Sequence, residues 1–142
     1  MTKAPTAGRP RPAANPDTRF FWDAAFERRL AVQRCSACRA LRHPPGPACP
    51  ECHSLDWEVS DVSGRGTLYS YTVLHHPPAP GFDGPAVIAV VDLEEGVRMV
   101  SNVVGADPAT LTIGEALEVC FEEYVGWTVP QFRRPAAREA VR

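Results

Sequence analysis

The chain contains no apolar run approaching the roughly 20 residues that a membrane-spanning helix requires, and no apolar segment follows its basic, Pro-rich N-terminus as an export signal would demand. Both absences predict a cytoplasmic protein with no membrane partner. Also missing are a nucleophile elbow, a paired-carboxylate signature and a phosphate-cradling glycine loop. Gly64-Arg65-Gly66 supplies only two glycines, too few for a dinucleotide fingerprint. These gaps assign no catalytic residue and argue against an independent hydrolase or acyl carrier. Lysine is nearly absent: Lys3 is the one exception among 15 basic residues, the rest being Arg, which points to a GC-rich genome rather than to function.

Positive charge is scarce in the middle of the chain. From Asp61 to Val125 ten acids face only Arg65 and Arg98, a balance of −8, while the first 19 residues and the stretch from Gly126 each carry +3. A surface that neutralises phosphates needs the reverse, so no nucleic-acid partner is expected. At 142 residues the length is that of one ordinary domain, or of two very small ones in tandem.

What is present begins with cysteine. Cys35-Ser36-Ala37-Cys38 and Cys49-Pro50-Glu51-Cys52 are two C-x-x-C pairs separated by ten residues. That spacing is that of a zinc ribbon, in which two knuckles close a tetrahedral sulfur site. All four positions are protein ligands, so the predicted Zn²⁺ is structural. With four cysteines in register, His43 and His53 are expected to stand outside the site.

The remaining chain divides into segments. Residues 1–16, rich in Pro, Ala and Arg, read as a flexible tail. Residues 17–31 read as a helix capped by Asp17 or Thr18, with Phe21, Trp22, Ala25, Phe26 and Leu30 at three- and four-residue spacing and Arg28 and Arg29 in its last turn. Its aromatics either pack on the ribbon or anchor a partner, and both readings stand. The ribbon spans 32–59, with a stiff Pro-rich arm at 42–47.

From about Ser60 the period changes to that of strands. Gly64–Val73 alternates and starts on glycines, as where a strand bends; Ala86–Leu93 is apolar throughout and so expected to be buried on both faces; Val97–Val104 and Ala116–Tyr124 follow, with Leu117, Val119 and Phe121 on one face. Between them His75–Pro85 is a long loop, placing His75, His76 and Phe82 where a ligand or partner contact would lie. Lone Cys120 reads as a core residue, and Arg65 as a rim residue able to meet a phosphate. The fold class is therefore mainly β: an N-terminal helix, a rubredoxin-like ribbon, a five-stranded OB-fold barrel over 60–125 and an extension from 126 to 142.

The aromatic helix, the four-cysteine ribbon, "SGRGTLYSYTV" opening the barrel, "FEE" in the last strand and the ending "VPQFRRP" together resemble the zinc-ribbon plus OB-fold acyl-CoA-associated family, once a domain of unknown function. The resemblance covers about Phe20 to Pro135. It implies an accessory, non-catalytic subunit of a thiolase-superfamily enzyme, with acyl-CoA at or near the interface and a hetero-oligomer of two copies of each chain. Among the chemistries of such complexes it favours an aldolase cleaving the 3-hydroxyacyl-CoA of a steroid or similar side chain, with a thiolase or hydroxymethylglutaryl-CoA synthase complex as alternative. Phe21, Trp22, Phe26, Arg65, His75, His76 and Phe82 are the expected contacts. A nucleic-acid-binding module is the alternative from another class, since ribbons and OB-folds recur in that role.

Overall fold

The computed structural model describes residues 9–136. One helix, α1 (Arg19–Phe26), precedes a ribbon sheet of β1 (Leu30–Cys35), β2 (Leu41–Arg42) and β3 (Trp57–Val62) in the order β2-β1-β3. Then β4 (Arg65–Leu74), β5 (Ala86–Leu93), β6 (Arg98–Val103), β7 (Ala116–Tyr124) and β8 (Trp127–Arg133) close a barrel in the order β4-β5-β6-β8-β7. β6 meets β8 in parallel at Val103 and Phe132, and every other pairing is antiparallel. This is the expected mainly-β, OB-type architecture.

The helix is shorter than its apolar spacing predicts. Arg28 takes a left-handed backbone, φ 60, and its N–H and that of Arg29 donate to Ala25 and Ala24 carbonyls at 2.9 and 2.8 Å. Such a Schellman closure stops the helix, so Arg28 and Arg29 lie past its cap and Leu30 begins a strand. At the other end Thr18 holds the cap position without a side-chain bond; Asn15 Oδ1 instead accepts from the Asp17 and Thr18 N–H groups at 2.9 and 3.0 Å.

The barrel's fifth strand lies beyond the predicted limit at 125. β8 occupies the expected extension, joined to β7 through Val125-Gly126, and its Phe132 is 0% exposed. β5 is not buried on both faces: its residues alternate, with Ile88 38% exposed, because only one side of this strand meets the core. Gly64 enters β4 at φ +82, and a Cβ there would stand 2.2 Å from Val119 Cγ1, so the bend and the close approach both require glycine.

Ribbon and barrel share one core. Leu30 and Val32 of β1 belong to the same buried cluster as Leu68, Val91, Leu117 and Phe132, with Phe21, Leu41 and Val62 packed against it. A buried polar link holds the Pro-rich arm: Gln33 Oε1 accepts from Arg42 Nε at 2.8 Å and from the Gly46 N–H at 2.9 Å.

Candidate metal centre and contact surfaces

Cys35 ends β1, and Cys38 follows after a tight turn closed by the Arg39 N–H on the Cys35 carbonyl at 3.0 Å. The second knuckle repeats this, with the His53 N–H on the Cys49 carbonyl at 2.8 Å. Arg39 and His53 both adopt positive φ, 68 and 65, which turns the chain back beneath its sulfurs. All four Sγ atoms lie within 4.8 Å of one another, with Cys35–Cys52 at 3.5 Å and Cys38–Cys49 at 3.6 Å. Tetrahedral Zn²⁺ with bonds of about 2.3 Å has sulfur–sulfur edges of roughly 3.8 Å, so the set fits zinc. His43 and His53 stand outside it, as expected.

The electrostatics favour the same cation. The Cys38 N–H holds the Cys35 thiol down to about 6, and the Cys52 N–H lowers Cys49. At Cys38 the Ala40 N–H pulls downward, but burial and the neighbouring sulfurs outweigh it and push the thiol up to about 12. Four thiolates this close ionise together only around a metal ion. The centre is a structural zinc site held by Cys35, Cys38, Cys49 and Cys52.

The expected contact residues are not gathered in one place. Phe21 faces inward, 5.0 Å from the Trp22 ring and 5.4 Å from that of His43, while Phe20 meets Trp57 at 5.0 Å. Thus part of the aromatic set packs on the chain's own ribbon, whereas Phe26 is 61% exposed and borders a groove with Trp22, Arg11 and Trp127. Arg65 is on another side, doubly bonded to Glu94 at 2.7 and 3.2 Å. His75 and His76 are exposed in the loop after β4.

Phe82 reaches a cleft of about 740 Å³ on the barrel wall, whose lining includes Arg9, Cys120, Glu122, Tyr124 and Gln131. Arg9 had been expected in a loose tail, yet its guanidinium lies 4.8 Å from the Phe82 ring centre. Cys120 is not in the core: Leu117, Val119 and Phe121 point inward, which turns Cys120 to the cleft, half-buried, its thiol raised by that burial. The strand alternation was legible in the sequence and would have placed Cys120 correctly; nothing in it marked Arg9.

Two family models match in succession: a rubredoxin-like zinc ribbon domain of ChsH2 over residues 22–58, and the C-terminal OB-fold domain of ChsH2 over 59–122. A probable enoyl-CoA hydratase alpha subunit of Thermomonospora curvata is 48% identical over 96% of this chain and 42% of its own length. The 3-oxo-4,17-pregnadiene-20-carboxyl-CoA hydratase alpha subunit of Mycobacterium tuberculosis is 43% identical over 84% of this chain and 38% of its own. The chain thus spans about two fifths of the length of these two relatives. The benzoylsuccinyl-CoA thiolase subunit BbsA of Thauera aromatica is 30% identical over 73% of this chain and 81% of its own. A solved chain described as Ltp2-ChsH2(DUF35) aldolase is 49% identical and superposes with a TM-score of 0.83 over 87% of this chain and 98% of that one. With the cysteine centre, the ribbon and the closing β8 all in place, the chain belongs to the ChsH2-type, DUF35 family of zinc-ribbon and OB-fold proteins.

Proposed function

We propose that this chain is the accessory subunit of a thiolase-like acyl-CoA enzyme, working in the cytoplasm, where its thiols stay reduced. The partner performs retro-aldol cleavage of a 3-hydroxyacyl-CoA bearing a steroid or similar side chain. The observation that carries this is the 49% identity over nearly the whole length of a chain from an aldolase complex. The thiolase-subunit relative and the steroid-carboxyl-CoA relative support the partner class and the acyl class respectively.

In this reading the zinc ribbon is scaffold, and the contacts to the partner come from what it leaves exposed. Phe26, with Trp22 at its side, is the apolar anchor, since exposed aromatics are favoured at interface centres. The His75, His76 and Phe82 loop borders the partner's acyl-CoA entrance. Phe21 is committed to the chain's own packing, and Arg65 meets a CoA phosphate only by giving up Glu94.

A second reading follows from the hydratase relatives: the chain serves as the matching module of a hydratase alpha subunit. Affinity capture of the tagged chain from its host separates the two. Recovery of a thiolase-superfamily protein, in a complex that cleaves a 3-hydroxyacyl-CoA, supports the aldolase reading. Recovery of a hydratase subunit instead, or turnover of acyl-CoA by the isolated chain, overturns it.

A further inference from the structure

Residues 9–16 form neither helix nor strand, yet the Arg9 side chain is only 12% exposed. Its Nη2 donates to Asn102 Oδ1 at 3.2 Å, and Asn102 is itself fixed by its Nδ2 donating to the Val87 carbonyl at 2.9 Å. Gln131 is 2% exposed, and its amide, assigned the orientation that matches donors to acceptors, accepts through its oxygen from Arg9 Nη1 at 2.7 Å and donates through its nitrogen to Glu122 Oε2 at 3.0 Å. Glu122 Oε2 also stands 3.7 Å from Nη1. The rings of Phe82 and Tyr124 lie 4.8 and 6.0 Å from the guanidinium carbon.

We propose that Asn102, Gln131 and Glu122 form a guanidinium-recognition notch in the barrel wall, and that residues 9–16 are a strap seated in it by Arg9, which narrows access to the cleft lined by Phe82 and Cys120. The notch selects a guanidinium over an ammonium. Its acceptors come from three strands, β6, β7 and β8, and engage the two terminal nitrogens separately, while the aromatic rings take the planar face. The acceptors are ordered by their own bonds within the barrel, so the site is built before the strap arrives. Gly81 completes the fit: a Cβ there would come within 2.7 Å of Arg9 Cβ, at φ +83. A ligand or partner segment that uses the Phe82 cleft must first displace Arg9; that consequence rests on the partner reading above, whereas the notch and strap do not.

Cys120 lines the same cleft and reports its opening without any partner. In the full chain loaded with zinc, which protects the four ligand thiols, alkylation of Cys120 by N-ethylmaleimide is followed by mass spectrometry. Arg9→Ala accelerates it about tenfold or more, since the substitution removes both hydrogen bonds of the guanidinium and its pairing with Glu122, and one charge-assisted hydrogen bond alone accounts for about tenfold. Arg9→Lys accelerates it to a similar extent, and Gly81→Ala, acting from the opposite wall, does so too. Methylguanidinium added to Arg9→Ala slows the reaction again, whereas methylammonium does not. An unchanged rate in Arg9→Ala overturns the strap, and equal rescue by methylammonium overturns the guanidinium notch. Neither outcome bears on which partner the chain captures.

Discussion

Single side chains decide how this protein responds to acid. His43 is half-buried beside Phe21, its Nδ1 without a partner among the described residues, and burial lowers it to about 4 from the ordinary 6.5. The unfolded chain therefore takes up this proton at a higher pH than the folded one, and stability falls as pH drops from about 6.5 towards 4. Between pH 7.5 and 5 the wild type should lose roughly 2 kcal/mol that His43→Phe retains. Urea midpoints of both zinc-loaded proteins test this, the variant removing the slope that belongs to His43 and leaving any due to metal release; parallel slopes would deny His43 the role. Neither its burial nor its partner was readable in Arg42-His43-Pro44, because both come from α1 folding back across the arm.

Among the elements, α1 and β8 carry opposite burdens. The anchor residue Phe26 faces away from the core, so Phe26→Ala should change the chain's stability by less than about 0.5 kcal/mol. It should nevertheless weaken capture of the partner by tenfold or more, as removal of an interface aromatic does; equal affinity would move the anchor elsewhere. Phe132 is wholly buried where β8 closes on β6, and Phe132→Ala should cost about 3–5 kcal/mol by denaturant unfolding. Four barrel strands were visible, as alternation or, for Ala86–Leu93, as an apolar run, bounded by turn residues. β8 was not, because Pro130, two residues before Phe132, and the flanking arginines mask an apolar strand, and only its parallel seat beside β6 reveals it.

For the molecule as a whole, the question is whether ribbon and barrel are one cooperative unit. Leu30 and Val32 reach from the ribbon sheet into the barrel's core cluster, and Arg29 and Arg28 tie the linker to Asp61 and Glu123 at 2.6 Å. Structural zinc in small ribbons contributes more free energy than a domain of this size has to spare. Chelation should therefore abolish both the ribbon's and the barrel's ellipticity in a single transition and release the partner; a barrel that kept its amide protection without metal would show two independent units. The sequence by itself determined the zinc centre, the mainly-β class and the acidic barrel, because cysteine spacing, strand period and charge are local properties of the chain. Only the tertiary structure decided that Arg9 is tucked into the barrel wall, that Phe21 turns inward while Phe26 stays outside, and that β8 closes the barrel. Each of these depends on contacts between residues far apart in the chain, for which no period or spacing exists to be read.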